Sequence, residues 1–137
     1  MAQTADGELN VPIAADGDVV TARQLGRTLA AQVGFGATDI TRIATAISEI
    51  ARNIIQYAHR GVIRLSRVQE GTRAGILVVA EDEGPGIADV KRAMQDGYTT
   101  GGGLGLGLPG ARRLMDDFDV QSVVGQGTTV TMRKWRA

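Results

Sequence analysis

Gly101-Gly102-Gly103-Leu104-Gly105-Leu106-Gly107 places five glycines in seven positions, in a chain with 19 glycines among 137 residues. The average glycine share is roughly 7%, so composition alone points to this stretch. Backbone N–H groups freed of side chains, leading into the positive end of a helix, suit phosphate oxygens. A plain linker would explain the glycines but not the interleaved Leu104, Leu106 and Leu108, which read as anchors. Gly105 to Gly110 satisfies G-x-G-x-x-G, yet the dinucleotide fold requires a strand just before it. Asp96-Gly97-Tyr98-Thr99-Thr100 is not a strand. No Gly-Lys-Ser/Thr follows a glycine at the Walker spacing. Both common phosphate-loop folds are therefore excluded, and the fold has to be read from the flanking segments.

Downstream, Pro109 fits the first turn of a helix from about Leu108 to Asp117, where its missing N–H costs nothing. Val120 to Val124 and Thr128 to Trp135 then form a hairpin around Gly125-Gln126-Gly127. Upstream, residues 88–103 begin with a short helix, Asp89 to Gln95. Val62–Gln69 and Gly75–Asp82 form another hairpin through Glu70-Gly71-Thr72-Arg73, its second strand apolar on both faces. Ile40, Ile43, Ala44, Ile47, Ile50, Ala51, Ile54 and Ala58 make one stripe of a helix over about 39–59, with Thr38 or Asp39 as cap. A first helix carries Ala22, Leu25, Gly26, Leu29, Ala30 and Val33, opens at Asp16–Asp18 and ends at Gly34-Phe35-Gly36. A short strand, Leu9–Ile13, precedes it. Early helices followed by hairpins predict an α+β two-layer sandwich with a mixed, mostly antiparallel sheet covered by helices on one face. At this length, residues 1–137 are expected to form a single domain.

Composition narrows the function classes. Lys+Arg and Asp+Glu both number 15, so no global field draws the chain to nucleic acid or an anionic membrane. Cysteine is absent, which removes disulfides, thiolate catalysis and Cys-based zinc sites. One histidine, His59, leaves no His-rich metal site. The N-terminus lacks a basic region and a long apolar run, and no apolar stretch approaches ~20 residues. The expected location is cytoplasmic.

Two further constellations carry chemistry. Glu49 and Asn53 are four residues apart on the polar side of the second helix, their Cβ atoms roughly 6 Å apart. A carboxylate accepts a proton and an amide oxygen suits Mg²⁺, although the same spacing also describes a solvated helix face. Asp82-Glu83-Gly84-Pro85-Gly86 ends the buried strand. A carboxylate there can accept from an amino group such as adenine N6, while Gly84 and Gly86 let backbone approach a flat ring. An ordinary strand-ending turn uses the same residue types.

The helix with Glu49 and Asn53, the Asp82-x-Gly-x-Gly strand end, the glycine-rich stretch and Gly125-Gln126-Gly127-Thr128 follow one another in fixed order. Together they resemble the Bergerat ATP-binding superfamily of gyrase B, Hsp90, histidine kinases and MutL, over nearly the whole chain. Three stretches are similar to the RsbT-type serine/threonine switch kinases of bacterial stressosomes. These are Ser48-Glu49-Ile50-Ala51-Arg52-Asn53-Ile54, Asp82-Glu83-Gly84-Pro85-Gly86-Ile87, and the run from Ala93 to Phe118 through Gly102-Gly103-Leu104-Gly105-Leu106-Gly107-Leu108-Pro109-Gly110.

The resemblance implies ATP with Mg²⁺ as cofactors. Asp82 would bind the adenine amino group with Thr128 supporting it, and Gly84 and Gly86 would lie beside the ring. Asn53 would hold Mg²⁺, and Glu49 would take the proton from a serine hydroxyl. Gly101, Gly102, Gly103, Leu104, Gly105, Leu106 and Gly107 would cover the β- and γ-phosphates, with Arg52 a further phosphate candidate and Tyr98, Thr99 and Thr100 ligand contacts. The implied partners are a STAS-domain scaffold as substrate and a downstream phosphatase, without nucleic acid or membrane. An anti-sigma factor kinase of the RsbW type and a nucleotide-dependent binding module without transferase activity stand as alternatives. So does a scaffold that binds no nucleotide. His59 follows the second helix without the helical hairpin of a phosphoacceptor histidine, and reads as a partly buried or surface residue.

Overall fold

A computed structural model describes residues 2–3, 8–86 and 107–136. Strands β1 (Ala2–Gln3) and β2 (Leu9–Ile13) lead to helices α1 (Asp16–Val33) and α2 (Ala37–Ala58). Strands β3 (Gly61–Glu70) and β4 (Arg73–Asp82) follow, then helix α3 (Gly107–Leu114) and strands β5 (Asp117–Val123) and β6 (Gly127–Trp135). One six-stranded sheet runs in the order β1-β2-β3-β4-β6-β5. All its described pairings are antiparallel, in keeping with the mostly antiparallel sheet expected, and no parallel pair occurs among the described residues.

Alternation sets the layers. Ile63 and Leu65 of β3, Ile76, Val78 and Ala80 of β4, and Val130 and Met132 of β6 are buried on one sheet face. Ile43, Ile47, Ile50 and Ile54 of α2 and Ala22, Leu29 and Val33 of α1 join them in one core. Fully burying each valine, leucine, isoleucine or methionine among these is worth about 1.5–3 kcal/mol. Gly26 lets α1 approach α2, because a methyl group there would meet the Ile47 side chain. Arg64 and Glu81 pair across β3 and β4 on strand positions that alternate with the buried ones.

Element ends depart from expectation in three places. Helix α1 is preceded by Ala15 as N-cap, and Asp18 reaches back to accept from the Ala14 and Ala15 N–H groups at 2.8 and 3.0 Å. Helix α2 starts after Gly36, not after Thr38 or Asp39. Gly34, at φ 107°, closes α1 so tightly that the next helix begins within three residues. Helix α3 stops at Leu114 rather than Asp117, because the Asp116 N–H already donates to the Arg133 carbonyl and Asp117 belongs to β5. The expected helix Asp89–Gln95 lies outside the described residues. No helix among the described residues is long and apolar enough to cross a membrane.

Candidate nucleotide site

Asp82 is the last residue of β4, the strand between β3 and β6. The register sets it opposite Gly61 on β3 and opposite Thr128 on β6. Its Oδ1 accepts from the Gly84 N–H at 2.9 Å and from the Thr128 N–H at 3.3 Å. One carboxylate oxygen is thus committed to backbone, which fixes the orientation of the group.

Glycines make this approach possible. A Cβ on Gly84 would lie 2.5 Å from Ala58 Cβ, and one on Gly127, at φ 134°, would collide with the Asp82 carbonyl. The turn is held from outside as well, since the Gly125 N–H donates to the Pro85 carbonyl at 2.8 Å. Gly86, at φ 77°, lies so close to β5 that a Cβ would sit 2.5 Å from the Val123 carbonyl oxygen. Asp82–Gly86 and Gly125–Thr128, far apart in the chain, therefore form one unit.

Helix α2 reaches the same place. Ala58 abuts Gly84, and Ile54 Cγ2 would be 2.9 Å from a Cβ on Gly61. Asn53, adjacent to Ile54, is half-buried. Glu49 lies one turn earlier with its side chain 17% exposed, and Arg52 NH1 donates to its Oε1 at 3.1 Å. The structure thus gives Arg52 a carboxylate partner. Such an i,i+3 pair on a helix is worth about 0.3–0.5 kcal/mol, so little energy holds the arginine there. Helix α3 packs on α2 and buries Leu108 and Ala111, with Gly107 at its start at φ 43°. Gly101 to Leu106 and Tyr98 to Thr100 lie outside the described residues. His59, exposed and at φ 71°, ends α2 and is the one non-glycine residue with positive φ among the described residues.

Sequence reading missed Ser122. Thr128 is buried, and its hydroxyl lies 2.8 Å from Ser122 Oγ, which also donates to the Gly127 carbonyl at 3.2 Å. Only the β5–β6 register, which sets Ser122 opposite Thr128, reveals this. Ser122→Ala removes a hydroxyl from a partly buried network worth about 0.5–1.5 kcal/mol. A lowered urea midpoint at unchanged m-value and a several-fold weaker ATP affinity are expected, read by denaturation and calorimetry.

Among the described residues no group of three or more His, Asp or Glu side chains could hold a metal. Among the described residues, the candidate ligand expected from the sequence is the single amide oxygen of Asn53. That donor set does not suit an all-protein cage, and it fits Mg²⁺ held mainly by phosphates and water with one protein oxygen.

The model of the histidine kinase-like ATPase domain matches residues 13–134. The chain is 51% identical to the serine/threonine-protein kinase RsbT of Bacillus subtilis over 91% of its own length and 94% of that protein's. It is 34% identical to the anti-sigma F factor of Thermoanaerobacter sp. over 83% of its length and 82% of that factor. Among solved structures, the RsbU and RsbW domains of Rv1364c from Mycobacterium tuberculosis superpose with a TM-score of 0.67 at 20% identity. That match covers 95% of this chain and 33% of the longer two-domain one. The catalytic domain of histidine kinase ThkA superposes with a TM-score of 0.54 at 16% identity, covering 92% and 95% of the two chains. These two structures speak for the fold alone, whereas the family model and the RsbT identity span most of the sequence. The chain belongs to the histidine kinase-like ATPase domain family.

Proposed function

We propose that residues 1–137 form a single ATP-dependent serine/threonine protein kinase domain acting in the cytoplasm on a STAS-domain scaffold protein. The observation that carries this reading is the Asp82 carboxylate. With Oδ1 held by the Gly84 and Thr128 N–H groups, Oδ2 is left as acceptor for the adenine amino group. Gly84 and Gly86 let backbone lie beside the ring. The 51% identity to RsbT over nearly the whole of both chains supports the kinase assignment.

Asn53 would hold Mg²⁺, which when bound supplies charge neutralisation on the phosphates. Gly101 to Gly107 and the start of α3 would line the phosphate tail with backbone N–H groups. The partner's serine oxygen forms a bond to the γ-phosphorus while the bond from that phosphorus to the β–γ bridging oxygen breaks. ADP leaves, and the hydroxyl proton passes to Glu49. Most of the rate comes from positioning and electrostatics around the transferring group. The Arg52–Glu49 pair is weak enough to part when substrate arrives. In this reading phosphorylation of the scaffold releases the kinase to activate a downstream phosphatase.

Incubation with γ-labelled ATP and a purified STAS-domain partner tests the proposal. Label on a serine or threonine of the partner is expected, and normal ATP binding with no label on any partner would leave only a nucleotide-dependent binding module. The 34% identity to an anti-sigma F factor favours one second reading, a kinase that also holds a sigma factor. Capture of a sigma factor rather than the STAS protein would select it.

A further inference from the structure

Lys134 is a buried charged side chain that the nucleotide chemistry does not use. It lies on the core-facing row of β6, which runs Thr128, Val130, Met132, Lys134, all of them buried. Its Nζ donates to the Leu114 carbonyl at 2.9 Å and lies 3.9 Å from Asp39 Oδ1 and 3.8 Å from Asp116 Oδ1. Leu114 is the last residue of α3, so this carbonyl has no intrahelical donor, and a positive charge there complements the helix dipole. The lysine therefore ties together the first turn of α2, the last turn of α3 and the approach to β5. Both carboxylates have other partners, Asp39 with Arg42 at 3.0 Å and Asp116 with the Trp135 N–H at 2.7 Å. Lys134 completes a network that is already anchored.

Helix α3 needs such an anchor. It has eight residues, fewer than the ~12–15 an isolated helix requires, so its direction depends on what holds it. Its apolar side is set by Leu108 and Ala111, and its C-terminal end by Lys134. Strand β6 thereby serves both ends of the candidate site, through Thr128 beside Asp82 and through Lys134 behind α3.

We infer that Lys134 is a positioning residue for the phosphate end of the nucleotide site, acting through the orientation of α3. This rests on the kinase reading above. The adenine end, built on Asp82 and Thr128, does not depend on α3. Loss of Lys134 therefore weakens a nucleotide through its phosphates and spares the nucleoside.

The test compares ATP, by calorimetry, with adenosine, by nuclear magnetic resonance titration, on wild type, Lys134→Met and Lys134→Arg. Lys134→Met is expected to weaken ATP roughly tenfold while adenosine stays within about twofold, and Lys134→Arg, which keeps a charged donor, to recover most of the loss. Amide exchange should quicken in residues 107–114 and stay unchanged in α2. Equal weakening of ATP and adenosine would reduce Lys134 to a general structural role, and unchanged ATP affinity in folded Lys134→Met would remove the role altogether. If Lys134→Met does not fold, Asp39→Asn takes its place. It loosens one partner of the lysine and should give a twofold to threefold loss confined to ATP, roughly the share of one weakened ion pair. A loss shared with adenosine, or none, overturns the inference. A wild-type chain that binds no ATP would instead defeat the kinase reading, a result distinct from all of these.

Discussion

Asp82→Asn is expected to weaken ATP binding by about 5- to 150-fold, the equivalent of ~1–3 kcal/mol for a polar group left facing the wrong partner under a bound base. The geometry allows no rotamer that escapes this. The Gly84 and Thr128 N–H groups both donate to one side-chain oxygen. In asparagine the single oxygen either stays with them, turning the NH₂ toward the adenine amino group, or turns to the adenine and sets the NH₂ against two N–H donors. Each choice opposes donor to donor. The same logic predicts a change in base preference. Inosine triphosphate presents a carbonyl where adenine presents its amino group, so the variant should lose less affinity for it, or gain some. Competition titrations with both nucleotides read this directly. A variant that binds ATP as wild type does, with no shift toward inosine, would mean that Asp82 does not read the purine.

Glu49→Gln should keep ATP affinity within about threefold and lower phosphoryl transfer by ~10²–10⁴. Glutamine preserves length and an acceptor for Arg52, now 3.1 Å from Oε1, but cannot take a proton. The fold should hardly notice, since the exchanged helix-surface pair is worth about 0.3–0.5 kcal/mol. Single-turnover transfer to the partner, measured beside nucleotide affinity, separates the two effects. Normal transfer by this variant would take the base role from Glu49.

The two hairpins were legible because alternation and turn glycines mark them locally. Glu70–Arg73 and Gly125–Gly127 fall at the observed strand junctions to within a residue or two. The α2 stripe was legible for the same reason, its isoleucines recurring every three or four residues. Long-range register was not. Nothing local says that β6 inserts between β4 and β5, so only the resemblance, and not the residues themselves, joined Thr128 to Asp82, and the Ser122–Thr128 contact needs the exact register of the β5–β6 hairpin. Gly61 lies just before the expected strand Val62–Gln69, and nothing local says that its missing side chain admits Ile54 beside Asp82. Nothing local marks Lys134 as core-facing, since lysine is almost never fully buried unless paired. Its carbonyl and carboxylate partners, 18 to 95 residues away in the chain, lie beyond any periodicity. Strand β1, two residues long, lacks a run from which alternation can be read.

Helix ends failed for a different reason. Gly36 caps α2 without a side chain, so the more familiar cappers Thr38 and Asp39 drew the boundary inward. Asp39 instead serves Arg42 and lies near Lys134. Residues whose type suggests one local role were taken up by tertiary contacts that composition does not encode.

Calorimetric titration of the purified chain with ATP, with and without Mg²⁺, bears most directly on the proposed purine and phosphate site. Saturable one-site binding that tightens with the metal, and weakens with Asp82→Asn, is the predicted result. A flat titration under both conditions, on protein shown to be folded, would contradict the account.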